Sequence, residues 1–477
     1  MKSKNLSLIF VGLLIFSMSM SIAYNANALN PKPAVPVTLK FWYSENPTEA
    51  VTLFEKIAWF ESIYPEVTID AEEHGFFTIG DEYSIAFVAG EEPDVLRTPR
   101  DDVPQFARDS MIAPLTDEFT SADKADFLEQ SLKLMTYEGE IWGFPQAIDC
   151  PMILFNKDLF DTAGFNSSAI DWNTSWTWPE YSYNIWKLNQ TAGVYATSLA
   201  GTFYSVQPYY YGQGAAFVEN GKYDTGHITL NSTKSRAALE FMKNVTDSTV
   251  TPPWALQGWG TYVPDFGDGK VAMIVTGPWE INNLITNYDQ FNGVIHGADN
   301  LGFMQLPHDE DDNYGALIGG NYYTISSQIE SAKYEAAVNF VKFLSSSQVM
   351  AKSAIEDSHV PARKSVMTNA TVMAAASFKY VQPYYEQCAN AYSLPPSPYY
   401  GRLESALGPH VDNYLGGTET LDQMIGLTIL EWYDILPPPT AAKEQVVIPG
   451  FPIAVVVATL LTGIFGVIIY VIKKRKN

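Results

Sequence analysis

Cysteine is nearly absent from this chain, whose 477 residues include only Cys150 and Cys388. Two cysteines are too few for a disulfide-stapled scaffold or a four-cysteine zinc site, so the fold must depend on a hydrophobic core. Both are predicted to be small, buried apolar side chains, although an extracellular location would also permit a bond between them.

Charged residues are also few, at 17% of the chain, and positive charges are the fewest. The 29 Lys and Arg residues face 53 Asp and Glu residues, which gives a net charge of −24. A field of this sign repels phosphate backbones and other anions, so it excludes nucleic acid as the main partner. It also favours a soluble, monomeric protein.

The motifs of common catalytic and metal sites are missing. The sequence has no GxSxG, HExxH, P-loop or CxxC pattern, and its six histidines lack metal-ligand spacing. The run 309–315 resembles the start of a calcium loop, but its sixth position is Tyr314 and its twelfth is Gly320 instead of a glutamate. No metal or other cofactor is therefore expected. A carboxylate pair for glycoside hydrolysis stays open, because 53 acids always offer candidates.

Both ends of the chain have the character of targeting segments. Residues 1–28 contain two lysines, an apolar run and a final Ala-Asn-Ala, which predict a signal peptide, with an uncleaved anchor as the alternative. Residues 451–472 are uncharged and long enough to span a membrane, and the basic tail 473–477 is predicted to stay cytoplasmic. The proline-rich segment 437–450 is predicted to be a stalk. The main domain is thus expected outside the cell, on a single-pass anchor.

Hydrophobic periodicity predicts an α/β fold. A β-branched and aromatic run at 37–43 precedes a helical pattern at 51–63, which stops before Pro65, and a second strand follows at 66–71. This order implies a parallel sheet covered by helices. The apolar stripe of the first helix is predicted to consist of Val51, Phe54, Ile57 and Ala58.

Aromatic residues form clusters with glycine and proline that interrupt this pattern. The clusters are predicted to be loops and lie at 172–179, 203–214, 252–260, 277–279 and 393–401. Rigid rings on loops supply flat contact area for sugar rings, while neighbouring polar side chains bind the hydroxyl groups. Packing in the core is the alternative for most individual rings. The clusters therefore favour a carbohydrate ligand.

Five segments together resemble the extracellular solute-binding proteins of ABC sugar importers, particularly the maltose- and maltodextrin-binding branch. They lie at 91–119, 137–160, 217–224, 267–280 and 301–307, and the most specific are GDGKVAMIVTGPWE and the element that ends in NKDLF. The resemblance implies a two-lobed α/β clamp with a hinge, like that of periplasmic binding proteins. It implies a first lobe of 29–147 and 318–368 and a second of 148–317 and 369–436.

The resemblance also implies a sugar site between the lobes. Its candidate ligand-binding residues are Trp279, Asp101, Asp149, Tyr204, Tyr400, Trp42, Glu45 and Arg100. The tryptophan at 279 and the two tyrosines are expected to stack on sugar rings, and the two aspartates to accept hydrogen bonds. A buried strand position is the alternative for Trp42, and pairing with neighbouring acids is the alternative for Arg100. Gln207 replaces a tryptophan expected in the maltodextrin branch, so the identity of the sugar stays open.

The function implied by the resemblance is binding without catalysis. The protein would capture a sugar or oligosaccharide between its lobes and deliver it to the permease of an ABC importer. Contacts from both lobes to one ligand favour the closed form, which the permease would recognise. Tethering by one helix suits an archaeal or other single-membrane cell. The alternative is a cell-surface glycoside hydrolase that acts on an oligosaccharide.

Overall fold

Two sheets, one of five strands and one of four, organise the described part of the chain. The structure is a computed structural model, and it describes residues 36–439 except for 200–202, 259, 294–298, 310–314 and 392. The predicted signal peptide (1–28), membrane helix (451–472) and basic tail (473–477) lie outside these residues, as does most of the predicted stalk (437–450). Within the described ranges, no helix combines the length and the apolar character needed to cross a membrane.

The first sheet confirms the predicted strand–helix–strand opening. The strands are β1 (Val37–Tyr43), β2 (Val67–Glu73), β3 (Val95–Pro99), β4 (Thr136–Tyr137), β5 (Glu140–Ile141), β6 (Phe144–Asp149), β7 (Met152–Asn156), β8 (Tyr195–Ser198), β9 (Val271–Thr276), β10 (Leu301–Met304) and β11 (Gly319–Ile325). The five-stranded sheet has the order β2-β1-β3-β11-β6. Strand β1 pairs in parallel with β2 and β3, whereas β11 runs antiparallel to β3 and β6.

Helices pack against both sheets. They are α1 (Pro47–Ile63), α2 (Ile79–Ala89), α3 (Val103–Arg108), α4 (Ser121–Asp126), α5 (Glu129–Leu134), α6 (Lys157–Thr162), α7 (Trp178–Ala192), α8 (Phe203–Tyr211), α9 (Thr233–Thr246), α10 (Tyr262–Gly267), α11 (Ile281–Asn287), α12 (Ser331–Leu344), α13 (Ser347–Glu356), α14 (Lys364–Met367), α15 (Ala370–Ala374), α16 (Phe378–Asn390), α17 (Tyr400–Leu415) and α18 (Leu421–Ile435). Short 3-10 helices include Pro278–Glu280, which follows β9 directly.

Helix α1 is where the sequence predicts it, but the predicted apolar stripe is wrong at three of its four positions and right only at Ile57. Val51, Phe54 and Ala58 are exposed, and the side chains that the helix buries are Thr52, Leu53, Lys56, Ile57 and Phe60. The two polar members of this set bind Asp357, after α13: the threonine hydroxyl donates to it at 2.7 Å and the lysine Nζ lies 3.3 Å from it. Because of these contacts, Thr52 and Lys56 face the core together with the apolar side chains. The buried face of the helix therefore differs from the one that apolar residues alone predict.

The four-stranded sheet, in the order β10-β7-β9-β8, is the base of a second core. All six residues of β9 (VAMIVT) are buried, as expected for a strand covered on both faces. The segment 203–214, predicted to be a loop, instead contains α8. Tyr209 and Tyr210 are 1% and 0% exposed in the second core, and this packing outweighs the helix-breaking tendency of Pro208.

The first crossing of the chain between the two sheets is very short. Strand β6 ends at Asp149 in the first sheet, and β7 begins at Met152 in the second. The chain returns between β10 and β11. Helix α16 contacts β6 of the first sheet and the 3-10 helix Pro278–Glu280, which follows β9 of the second sheet. Helices α17 and α18 pack on each other in the second core.

Candidate functional site

The strand ends that carry several predicted ligand-binding residues meet at one edge of the five-stranded sheet. Gly319, the first residue of the antiparallel β11, pairs with Asp149, the last residue of β6. Glu45 and Arg100 follow β1 and β3, which run parallel to each other and end at the same edge. Ligands of open α/β sheets bind beyond the carboxyl ends of the strands, so this edge is the candidate site.

Arg97 of β3 holds the loop after β1 against β6. Its Nε donates to Gln146 Oε1 at 2.7 Å and lies 3.2 Å from Glu45 Oε1, and its Nη1 donates to the Ser44 carbonyl at 2.9 Å. Gln146 also donates to Glu45 Oε1. Burial raises the pKa of Glu45, although Arg97 acts in the opposite direction. Glu45 Oε2 is buried and has no hydrogen-bond partner among the residues described.

A second buried pair joins α1 to the segment after α13. His359 Nε2 and Glu49 Oε1 are 2.7 Å apart. Burial disfavours both charges, but their attraction prevails: it lowers the pKa of Glu49 to about 2 and raises the pKa of His359. Burial also raises the pKa of Glu280, beside Trp279, and the charge of Glu49 raises it further. The turn that carries Trp279 therefore lies close enough to α1 for the charge of Glu49 to act on Glu280.

Arg100, Asp101 and Asp149 form one cluster at the sheet edge. Arg100 Nε lies 3.1 Å from Asp101 Oδ1, and its Nη1 donates to the Ile318 carbonyl. Burial raises the pKa of Asp149 to about 6, against the pull of Arg100. Gly319 makes room for this carboxylate, because a Cβ at that position would lie 2.2 Å from Asp149 Oδ1. The structure thus brings together three of the residues predicted from the sequence.

The N-terminal end of α17 faces this cluster across a small cavity. The cavity is lined by Arg100, Asp101, Pro104 and Leu134 on one side and by 394–397 and Tyr400 on the other. Glu404 lies one turn beyond Tyr400. Burial raises its pKa to about 8, with a further contribution from the charge of Asp101. The carboxyl groups of Glu404 in α17 and of Asp101 after β3 are therefore close enough to influence each other.

Two of the predicted aromatic platforms differ in their surroundings. The ring of Tyr400 is 3% exposed and stacks on Phe217 with ring centroids 5.4 Å apart, so one face of it is already covered. Trp279 is partly buried in the 3-10 helix after β9. Its ring covers the backbone of Gly277 so closely that a Cβ there would lie 1.9 Å from a ring carbon. The absence of a side chain at Gly277 therefore sets the position of Trp279.

Trp42 is not part of this cluster. Trp42 stacks on His74 with centroids 3.9 Å apart, and its Nε1 donates to Glu72 Oε2 at 3.1 Å, on the β2 side of the sheet. Tyr204 belongs to α8, but its side chain lies outside the described part of the structure.

A model of bacterial extracellular solute-binding proteins matches residues 57–379 of the chain. The chain belongs to this family. The galactooligosaccharide-binding protein of Bacillus subtilis is 22% identical over 60% of this chain and 64% of its own length. A maltooligosaccharide ABC transporter solute-binding lipoprotein of Streptococcus pneumoniae is 25% identical over 55% of this chain and 58% of its own. The chain thus matches less than two thirds of the length of these relatives.

Solved structures of solute-binding proteins share the fold. The GacH receptor of Streptomyces glaucescens, described unliganded and in complex with acarbose, is 25% identical with a TM-score of 0.73, over 84% of this chain and 98% of that one. Maltose-bound MalE3 of T. maritima is 21% identical with a TM-score of 0.72, over 84% and 100%. These likenesses confirm the predicted two-lobed α/β fold.

Sequence reasoning missed three polar residues of this solute-binding protein: Arg97, Gln146 and Glu404. A signal for Glu404 existed, because it follows Tyr400 by four residues and so lies on the same helix face. No local signal existed for Arg97 and Gln146, which lie 49 residues apart and meet only through the pairing of β3, β11 and β6.

Proposed function

We propose that this chain captures a sugar or oligosaccharide between its two lobes, unchanged, for delivery to an ABC importer. Membership of the solute-binding family supports binding over catalysis. Relatives named for galactooligosaccharides and maltooligosaccharides, and a structural neighbour described with acarbose, favour a carbohydrate. The observation that carries the proposal is the cluster of Arg100, Asp101 and Asp149: Arg100 and Asp101 face Tyr400 across the cavity, and the charge of Asp101 acts on the carboxyl group of Glu404.

The chemistry of this cluster suits sugar hydroxyl groups. Ionised carboxylates accept hydrogen bonds from hydroxyls, whereas Asp149 and Glu404, whose pKa values are raised to about 6 and about 8, also act as donors when protonated. The buried Glu45 Oε2 offers one more acceptor, and a ligand hydroxyl there would offset the cost of leaving it unpaired. We propose Trp279 as the stacking platform, with Tyr204, Tyr400 and Trp42 as further contacts.

Ligand binding would favour closure of the lobes. We propose a first lobe of 29–147 and 318–368 and a second of 148–317 and 369–436, which move about the segments that cross between them. The charge of Asp101 disfavours ionisation of Glu404, and hydroxyl groups that bind both carboxyl groups would add hydrogen bonds at this point. A ligand that contacts both sides therefore stabilises the closed form, which we propose the permease recognises.

We propose an extracellular, monomeric main domain. The family is extracellular, and one relative is described as a lipoprotein. A signal peptide at 1–28 would direct the chain out of the cell. A single membrane-spanning helix at 451–472, joined to the main domain by the stalk at 437–450, would keep the receptor near the transporter. Such tethering raises its effective concentration there without a periplasm.

A thermal-shift screen of the segment 29–445 tests the proposal. The panel holds maltose, maltotriose, galactooligosaccharides, trehalose and cellobiose, and each sugar is recovered and analysed by chromatography. A ligand at about 100 times its Kd stabilises the folded state by about 2.7 kcal/mol, so a true ligand raises the melting temperature clearly. A shift with one sugar class, and that sugar recovered intact, supports the proposal. Cleaved sugar would favour the glycoside hydrolase, and no shift with any sugar would contradict the carbohydrate assignment.

A further inference from the structure

The two cysteines of the chain lie in contact where it crosses between the sheets. Cys150 comes directly after β6, and Cys388 lies in the last turn of α16. Their Sγ atoms are 3.0 Å apart, and both side chains are fully buried. Helix α16 is also held by Tyr384, whose hydroxyl donates to the carbonyl of Thr276 at 3.0 Å. The sulfur pair thus lies at a junction of both sheets.

We propose that Cys150 and Cys388 are joined by a disulfide in the mature protein. The bond needs sulfur atoms about 2.05 Å apart, and small rotations of the two side chains close the remaining gap. The chain has no third cysteine, so no competing intramolecular pair exists. No cluster of three or more metal-ligating side chains occurs in the described ranges.

The bond forms by exchange with a disulfide oxidant, either glutathione disulfide or an oxidoreductase. The thiolate of one cysteine attacks the oxidant and releases half of it as a thiol; the second cysteine then displaces the other half. Two protein thiols are oxidised, the oxidant is reduced to two thiols, and these take the two protons. Burial raises the pKa of Cys150 and of Cys388, so the folded pair reacts slowly and the bond forms during folding.

The disulfide would fix α16 to the crossing segment. The two cysteines are separated by 238 positions, and crosslinks that close long loops restrict the unfolded chain most. Helix α16 contacts both β6 and the turn that carries Trp279. The bond would therefore fix the position of β6 relative to that turn. The presence of the bond in the mature protein rests on the proposed extracellular location.

Alkylation of the free thiols of the full chain, followed by mass spectrometry, tests this proposal. Membranes from the producing cells are dissolved in SDS with iodoacetamide and no reductant, and the protein is digested for mass spectrometry. We expect a linked pair of peptides without alkylation, and two alkylated cysteines only after reduction. In parallel, the reduced full chain is unfolded, refolded in detergent with glutathione disulfide, and treated in the same way.

Comparison of the two samples distinguishes a failure of the cysteine pairing from a failure of the proposed extracellular location. Alkylated thiols in both samples would overturn the pairing itself. Alkylated thiols in the membrane sample alone would overturn the bond in the mature protein and count against the extracellular location, but not against sugar binding. Thermal unfolding gives a second readout: reductant should lower the melting temperature of the wild type by several degrees and leave that of Cys388→Ala unchanged. An equal response of both proteins would also contradict the bond.

Discussion

Replacement of Arg97 by methionine tests the buried ion pair behind the candidate site. The change removes the guanidinium and leaves Glu45, whose side chain is 2% exposed, with an uncompensated charge. Removal of one partner of a buried pair costs about 3–5 kcal/mol, and we expect a loss of that size in the free energy of unfolding at pH 7. Arg108→Met is the control. Arg108 and Asp109 pair with side chains 31% and 38% exposed, and surface pairs contribute about 0–1 kcal/mol.

Two further measurements test whether the uncompensated charge of Glu45 causes the loss of stability. The double variant Arg97→Met/Glu45→Gln removes it, so a large part of the lost stability should return. Without Arg97, burial raises the pKa of Glu45 further; the folded state then takes up a proton, and the loss should be smaller at pH 5 than at pH 7. Urea unfolding followed by tryptophan fluorescence measures each value. A loss no larger than that of Arg108→Met, or one that Glu45→Gln does not change, would refute the reasoning.

Two other substitutions test single groups of the site. The pKa of Glu404 is raised from 4.5 to about 8, so the folded state keeps a proton that the unfolded state releases, and stability should fall as the pH rises through this interval. Glu404→Gln should reduce this dependence of stability on pH, whereas Glu335→Gln, at an exposed position of α12, should not. The midpoint of urea unfolding at each pH measures the effect. Gly277→Ala should displace the ring of Trp279 and weaken sugar binding about tenfold or more, since a displaced anchor tryptophan costs ~2 kcal/mol. Gly426→Ala in α18, where an added Cβ meets nothing within 4 Å, should leave the affinity unchanged.

Either of two results would contradict these expectations. One is a pH dependence in Glu404→Gln that equals that of the wild type. The other is full sugar affinity in Gly277→Ala, which would show that Trp279 tolerates displacement or does not touch the ligand.

Local periodicity predicted the elements whose burial follows one simple pattern. The strand at 37–43 is observed with those bounds, and β-branched and aromatic residues alone identify it. Periodicity failed where polar side chains are buried by distant partners: Lys56 and Thr52 turn inward because Asp357 meets them. It failed again for α8, whose tyrosines pack in the second core despite Pro208.

The candidate site was predictable where it follows from strand ends. Arg100, Asp101 and Asp149 were identified by family resemblance, and they meet because β3 and β6 end at one edge of the sheet. The partners of Glu45 were not predictable, because hydrogen bonds from Arg97 depend on the register of strands far apart in sequence. The roles of the predicted residues in sugar binding stay predictions.

Calorimetric titration of the sugar identified in the screen tests most directly whether the cleft binds carbohydrate through its aromatic platform. Wild type, Trp279→Ala and Trp186→Ala are compared; Trp186 lies in α7 with 54% of its surface exposed and serves as the control. We predict that the wild type and Trp186→Ala bind with equal affinity. Trp279→Ala should bind at least about tenfold more weakly, because truncation of an anchor tryptophan costs ~2 kcal/mol or more. Equal affinity in all three proteins would contradict the proposed site.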